Sequence, residues 1–189
     1  MVNGIMTVAG AAKKLKTDPA LKFIVLSLAF YGLATFEGPM LAIKSVNVFS
    51  HFTEWTIGHV HSGALGWNAL ITFGTFYFLV PRLAGAPLWT AKLANIHFWL
   101  ALAGSMLYVL AMWGAGVSQG VLWLSLDELG EVRFSFNDVM AAMQPYYLLR
   151  FLAGLTFLAG AVLMAVNLAK TFAGRPTVVA MPPAAGARA

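Results

Sequence analysis

The sequence contains no cysteine, and charged residues are few. Without cysteine, its 189 residues offer no disulfide bond, thiolate metal site, iron–sulfur cluster or Cys-x-x-Cys-His haem attachment. Charged residues make up 10% of the chain and hydrophobic residues 60%. Because soluble domains carry about 25% charged residues, this composition indicates a membrane protein. The basic residues flank apolar runs instead of forming a stripe, so we expect no nucleic-acid partner.

Four apolar runs are long enough to cross a lipid bilayer, which takes ~20 helical residues. The fold class predicted from them is an all-α polytopic membrane protein with about four transmembrane helices. We expect residues 1–18 to form a cytoplasmic or interfacial segment, residues 19–172 the transmembrane region, and the Pro/Ala-rich residues 173–189 a disordered tail. The four spans are predicted at residues 19–44, 54–80, 88–113 and 138–172.

Prolines and glycines set the predicted boundaries between these spans. Pro39 should kink the first helix, and Pro81 should end the second. Residues 45–53 are predicted as a short polar connection. Residues 114–137 are predicted as a longer connection in which residues 121–124 form an interfacial piece.

Basic residues are distributed unequally between the two ends of the spans. Nine lie in segments that an even number of spans places on one side, and two, Lys44 and Arg133, lie on the other. Because positive residues are retained in the cytoplasm, we expect both termini to be cytoplasmic. We also expect no cleavable signal peptide, since the first clearly apolar run is too long for one. The nine are Lys13, Lys14, Lys16, Lys22, Arg82, Lys92, Lys170, Arg175 and Arg188.

Two histidines, His59 and His61, lie near the start of the second span. In a helix, residues two apart point about 200° apart around the axis and lie only ~3 Å apart along it. A single metal ion could not easily bind both imidazoles. Two flat cofactors on opposite sides of the helix could bind one each, which is the arrangement that a two-haem membrane protein requires. A structural hydrogen bond to another helix is the alternative.

Glu37 is an ionisable residue within the first span. It lies ~10 Å from the outer end of its helix and His59 ~9 Å from the same face, so the two residues share a depth. Glu37 could accept a hydrogen bond from the Nδ1–H of a ligating histidine. A helix–helix hydrogen bond and a proton relay are the alternatives.

Other polar residues in or near the spans allow two interpretations each. His51 and Lys44, at the outer surface, could hold haem propionates or be ordinary interfacial residues. Arg150 requires an anion in the outer part of its span, and a propionate would suit it. His97, near the cytoplasmic end of the third span, has no histidine partner at helical spacing, which favours a structural role.

Four stretches of the chain carry a family resemblance. They are residues 35–40 (TFEGPM), 43–47 (IKSVN), 50–67 (SHFTEWTIGHVHSGALGW) and 144–150 (QPYYLLR). Together they resemble the catalytic subunit I of cbb3-type cytochrome c oxidases, the C-family haem–copper oxygen reductases. Nitric oxide reductase large subunits share a His-x-His helix but not the surrounding residues.

The resemblance implies specific roles for individual residues. His59 would be the proximal ligand of the high-spin haem b at the oxygen site, and His61 an axial ligand of the low-spin haem b. Glu37 would hydrogen-bond the proximal histidine. His51 would lie beside the haem propionates, with Arg150 a weaker candidate for the same role.

The resemblance also implies that this sequence corresponds to the C-terminal third of the subunit. The histidines that bind copper, a tyrosine cross-linked to one of them and the second ligand of the low-spin haem belong to the missing helices. Copper would therefore require those helices, and the isolated chain would be inactive. The implied partners are the remaining helices of subunit I, membrane-anchored c-type cytochrome subunits, the lipid bilayer and O2.

The implied activity is reduction of O2 to water with electrons from cytochrome c, coupled to proton translocation in the bacterial inner membrane. Two alternatives remain open. One is a non-catalytic haem-b membrane cytochrome or a truncated remnant without activity. The other is a helix bundle that contains no haem.

Overall fold

A computed structural model describes residues 2–174, and in that range the chain is helical without a named strand. Four helical stretches are long and apolar enough to cross a membrane. The predicted all-α fold class with four spans is therefore confirmed. In order, the elements are α1 (Val2–Val8), a 3₁₀-helix (Ala12–Lys16), α2 (Pro19–Leu41), α3 (Lys44–Ser50), α4 (Glu54–His61), a π-helix (Ser62–Ala69), α5 (Leu70–Ala84), α6 (Ala91–Trp123) and α7 (Phe136–Ala173).

The long helices begin at side chains that cap their first backbone N–H groups. Asp18 accepts a hydrogen bond from Leu21 N before α2, and Thr53 accepts one from Trp55 N before α4. A reciprocal capping box formed by Ser135 with a residue three positions later begins α7. Such caps satisfy donors that have no partner within the helix, so they fix where each helix starts.

Two predicted boundaries, one before the second span and one at its end, are wrong. The predicted connection at residues 45–53 contains α3, because Asn47 Nδ2 donates to the Leu41 carbonyl and joins α3 to the end of α2 at 3.1 Å. Pro81 does not end the second span, since α5 continues through it to Ala84. A proline in the last turn removes a single donor, and the helix ends at Gly85, where φ is +62°.

The third span ends ten residues later than predicted, because α6 continues to Trp123. Two glycines within the predicted connection are close-packing positions. A Cβ at Gly116 would collide with the backbone of Trp55, and one at Gly120 would lie 2.5 Å from the Phe49 carbonyl oxygen. Gln119, between them, accepts a hydrogen bond from Glu54 N at 2.8 Å. The segment therefore remains helical because α3 and α4 pack against it.

The helices form one bundle. In it, α6 packs against α7 and α4, and α2 packs against the π-helix and α5. Close approach again depends on small residues: a Cβ at Gly104 would lie 2.8 Å from Phe157 N on α7. Phe23 and Phe30 from α2 and Leu70 from α5 are fully or almost fully buried. The predicted disordered tail lies, from residue 175 onward, outside the described residues.

Candidate functional site

Glu37 and His59 meet between α2 and α4. The Glu37 side chain is 3% exposed, and its Oε1 accepts a hydrogen bond from Trp55 Nε1 at 2.7 Å. Its Oε2 lies 3.3 Å from His59 Nδ1. A buried carboxylate needs such donors, because burial without them costs several kcal/mol. The contact leaves His59 Nε2 as the ring nitrogen available to a ligand.

A cavity of about 420 Å³ opens beside His59. Gly38 lies against the same imidazole, where a Cβ would be 3.8 Å from His59 Cε1. The His59 side chain is 27% exposed, so it is accessible from this cavity. The predominantly small or flat side chains around the cavity leave room for a planar group. They belong to Ala34, Thr35, Val60, Gly63, Ala64, Trp67 and Asn68.

His61 faces a different helix. Its Nδ1 lies 2.8 Å from the carbonyl oxygen of Ile57, so Nδ1 carries the hydrogen and Nε2 has the free lone pair. Its ring stacks on Tyr108 of α6, with ring centroids 4.4 Å apart and an angle of 26° between the planes. The histidine pair thus contacts α2 on one side and α6 on the other.

The helix changes form immediately after the histidines. Residues Ser62–Ala69 form a π-helix, and Ser62 Oγ donates to the His59 carbonyl oxygen at 2.7 Å. A Cβ at Gly66 would collide with the Phe30 ring, so α2 packs directly on this segment. π-Helical turns are rare and are often found at functional sites, where they change the direction of nearby side chains.

Glu54, Tyr147 and Arg150 form a polar cluster at the N-terminal end of α4. Tyr147 donates to Glu54 Oε1 at 3.0 Å, and Arg150 Nη1 lies 3.6 Å from Glu54 Oε2. Arg150 also lies over the Tyr147 ring, 4.7 Å from its centroid. The anion nearest Arg150 in the described part of the chain is therefore Glu54, which the sequence analysis did not consider.

His51 lines a second cavity, of about 460 Å³, next to this polar cluster. Thr53, Glu54 and Gln119 also face this cavity, which gives it polar walls. His51 is exposed, and its ring contacts that of Phe52 edge-on, with centroids 4.0 Å apart and an angle of 62° between the planes. Because the lining also includes Phe52, Ile57 and the Glu54 carboxylate, it does not by itself favour a propionate, and the role of His51 stays a prediction.

His97 is fully buried and lies apart from these groups. Its Nδ1 is 3.0 Å from the Tyr77 hydroxyl, and its ring packs against Phe23 and Phe73. Its Nε2 has no hydrogen-bond partner and no access to solvent. This arrangement agrees with the structural interpretation of His97, because nothing from outside the bundle can reach the free nitrogen.

The donor set fits haem better than a metal ion held by protein alone. Among residues 2–174, no three His, Asp or Glu side chains form a cluster that could hold a metal ion. His59 and His61 instead offer one nitrogen each on separate sides of a helix. Haem iron needs only one protein ligand on a face, because the porphyrin supplies the other four nitrogens.

Residues 1–156 match the family model described as cytochrome C and quinol oxidase polypeptide I. The chain belongs to this oxidase subunit I family. It is 52% identical over 175 residues to a cytochrome c oxidase subunit 1 homolog of Agrobacterium tumefaciens (strain T37). This alignment covers 92% of the chain and 32% of the relative. The resemblance inferred from the motifs is thereby confirmed.

Two further relatives differ in their identity to this chain. The cbb3-type cytochrome c oxidase subunit CcoN1 of Stutzerimonas stutzeri is 48% identical, with 90% of this chain and 36% of the relative covered. A nitric oxide reductase chain of the same organism is 32% identical, with 83% of this chain and 33% of the relative covered. The chain therefore spans about a third of the length of these relatives.

Sequence analysis missed three partners of the predicted site residues. Trp55 is the second donor to Glu37, Tyr108 stacks on His61, and Glu54 pairs with Arg150. Glu54 and Trp55 lie in the motif that carries the resemblance, which was a signal for their importance. Tyr108 had no comparable signal, because an aromatic residue on an apolar helix usually packs in the core.

Proposed function

We propose that this chain is the C-terminal part of the catalytic subunit of a cbb3-type terminal oxidase. In the complete enzyme, O2 is reduced to water with electrons from cytochrome c while protons are translocated. The observation that carries this proposal is the histidine pair. His59 and His61 share one helical turn, each has its Nδ1 engaged, and each leaves Nε2 toward a different side of the helix.

In this proposal, His59 binds the high-spin haem b and His61 the low-spin haem b. Bound haem supplies the one-electron transfer and the oxygen chemistry. Glu37 acts on His59 by accepting its Nδ1–H, which fixes the ring and makes Nε2 a stronger donor to iron. Trp55 holds the other carboxylate oxygen, so Glu37 cannot rotate away from the imidazole. The carboxylate also lowers the reduction potential of an iron bound at Nε2.

His61 has a neutral acceptor, the Ile57 carbonyl, so its imidazole is less electron-rich than that of His59. This difference favours a higher potential at His61 and a lower one at His59. His51 would contact propionates at the outer face. Arg150 would do so only as a partner shared with Glu54, since that carboxylate lies 3.6 Å away.

Completion of the oxygen site requires residues outside this chain. The copper ligands and the second ligand of the low-spin haem would come from the remaining helices of subunit I, and electrons from membrane-anchored c-type cytochrome subunits. The complex would lie in the bacterial inner membrane with both termini of this chain in the cytoplasm. The isolated chain would then be inactive.

Reduced-minus-oxidised spectra, a pyridine haemochrome assay and a copper assay test the proposal. They are made on this chain alone and on this chain expressed with the remaining subunit helices from the S. stutzeri CcoN1 relative. We expect haem b and copper with the added helices and no oxygen consumption without them. His59→Ala should remove the high-spin signal and His61→Ala the low-spin signal, while His97→Gln, the matched histidine control, should keep both.

The other outcomes distinguish the alternatives. Haem b without copper in the combined preparation would favour a non-catalytic membrane cytochrome. No haem in either preparation, from chains that elute as folded monodisperse particles, would contradict haem ligation by this chain.

A further inference from the structure

Tyr108 covers one face of the His61 imidazole. The two rings are nearly parallel, at 26°, and their centroids are 4.4 Å apart. Tyr108 lies on α6, a different helix from His61, and its ring packs with a buried cluster that includes Met112 and Met143. The stacking partner is therefore fixed by the bundle and does not move with the helix that carries His61.

Two contacts together define the orientation of the His61 ring. The hydrogen bond from Nδ1 to the Ile57 carbonyl oxygen, at 2.8 Å, sets which nitrogen has the free lone pair. That acceptor is on the same helix, one turn earlier, so it leaves the ring able to tilt about the hydrogen bond. The stack on Tyr108 opposes this tilt, because the aromatic faces prefer a near-parallel, offset contact.

His59 is held in another way. A buried carboxylate, Glu37, fixes it, and no aromatic ring of residues 2–174 stacks on it. A ring contact holds a histidine without placing a negative charge beside it. The orientation of His61 can thus be fixed without a carboxylate at its Nδ1, so its effect on an iron potential stays small.

We propose that Tyr108 is a positioning residue that holds the His61 imidazole plane for axial ligation of haem. The inference rests on the proposed function, because it takes His61 as a haem ligand. The ring of Tyr108 performs this role, and its hydroxyl is not required. Tyr108→Phe should therefore behave as wild type, whereas Tyr108→Leu and Tyr108→Met should release the imidazole.

The first arm of the test needs no haem. The full chain in detergent micelles is treated with diethyl pyrocarbonate, and modification of His61 is followed by mass spectrometry, with exposed His51 as internal reference. Loss of the stack should raise the His61 rate relative to His51 by about 2- to 12-fold in Tyr108→Leu and Tyr108→Met. Tyr108→Phe should leave the ratio unchanged.

The second arm measures ligation. Haemin is titrated into the same chains, each also carrying His59→Ala so that the other proposed haem ligand is absent, with 1-methylimidazole as the second axial ligand, and affinity and the EPR g-values of the low-spin ferric form are recorded. Tyr108→Leu should weaken binding by about 2- to 12-fold. Its g-values should shift, because they depend on the orientation of the axial imidazole plane. His61→Ala should abolish the low-spin signal.

The outcomes separate the two hypotheses. Wild-type affinity and g-values in Tyr108→Leu and Tyr108→Met, with His61→Ala inactive in binding, would overturn the role of Tyr108 and leave the proposed function standing. Loss of affinity in Tyr108→Phe would also overturn it, since the hydroxyl would then matter. With His59→Ala in all chains, equal binding with and without His61→Ala would overturn ligation by His61 in the proposed function and, with it, this inference.

Discussion

His59 and His97 both lie on membrane-spanning helices, yet their surroundings differ in every respect that matters for ligation. His59 has a carboxylate at Nδ1, a side chain 27% exposed and a cavity beside it. His97 has a phenol at Nδ1, aromatic rings on its faces and no exposed surface. Burial of a histidine is therefore no sign of a ligand site. An accessible Nε2 with an occupied Nδ1 is the feature that distinguishes His59.

Removal of the Glu37 carboxylate should have the largest effect on the difference between His59 and His97. In Glu37→Leu, the Trp55 and His59 donors lose their acceptor inside the bundle, which should cost about 1–3 kcal/mol for each donor. We expect haem affinity to fall about 10- to 100-fold as well, because the ligand loses its supporting hydrogen bond.

Thermal unfolding in detergent and haem titration measure the two effects, with Glu37→Gln as the matched control. The amide keeps an acceptor and the shape of the side chain, so its losses should be smaller. Equal losses in both variants would show that the charge, and not the acceptor, holds His59.

Two glycines, one near the helix that carries His59 and one against His97, differ in what they pack against. Gly116 lies against the Trp55 backbone, and Gly160 lies where a Cβ would be 2.9 Å from His97 Cδ2. Gly116→Ala should force α4 away from α6 and destabilise the chain by about 1–3 kcal/mol, with weaker haem binding. Gly160→Ala should destabilise the chain without that second effect.

Gly154→Ala is the control for both glycine variants, because no atom lies within 4 Å of its Cβ position. It should be neutral or slightly stabilising, since alanine favours helix more than glycine does. Thermal unfolding and haem titration together separate the three variants. Unchanged haem binding in Gly116→Ala would show that α4 keeps its histidines in place independently of α6.

The Tyr77–His97 contact should affect stability without affecting haem binding. Tyr77→Phe removes the hydrogen bond between the Tyr77 hydroxyl and His97 Nδ1, at a cost of about 1–3 kcal/mol. His97→Phe replaces the polar ring by an apolar one and should restore part of this loss when combined with Tyr77→Phe. A double-mutant cycle followed by thermal unfolding measures the coupling, and a loss of haem from His97→Phe would contradict the structural role.

Arg150→Gln should have the smallest effect on stability. Its ion pair with Glu54 is 3.6 Å long, and the Arg150 side chain is 37% exposed. Pairs of this kind contribute about 0–1 kcal/mol. Thermal unfolding with and without added salt tests this, and a large loss that salt does not reduce would mean that stacking on Tyr147 is the main contribution.

Local signals in the sequence predicted much of this molecule. Asp18 and Thr53 cap helices that begin at the predicted residues 19 and 54, because an N-cap depends on residues within one turn. Spacing alone suggested that His59 and His61 face different sides and that Glu37 lies at the depth of His59. The structure has a Glu37–His59 contact and a separate neighbour for His61, while their roles as ligands stay predictions.

The errors have a common physical cause, which is tertiary packing. Gly116 and Gly120 lie in the segment predicted as a connection, but they are places where α3 and α4 approach α6. Trp55 and Tyr108 contact residues from other helices, 18 and 47 positions away in the sequence. No local pattern encodes such pairs, so these parts of the candidate site required the structure.

The single helical turn that carries both histidines has a mechanical consequence. His59 and His61 are joined by one rigid stretch of backbone, and the π-helix that follows separates them from the straight course of α5. A small rotation of that turn would carry both imidazoles through the same angle about the helix axis. In the proposed function, haems bound at the two imidazoles would then be mechanically coupled, so strain at one would be transmitted to the other.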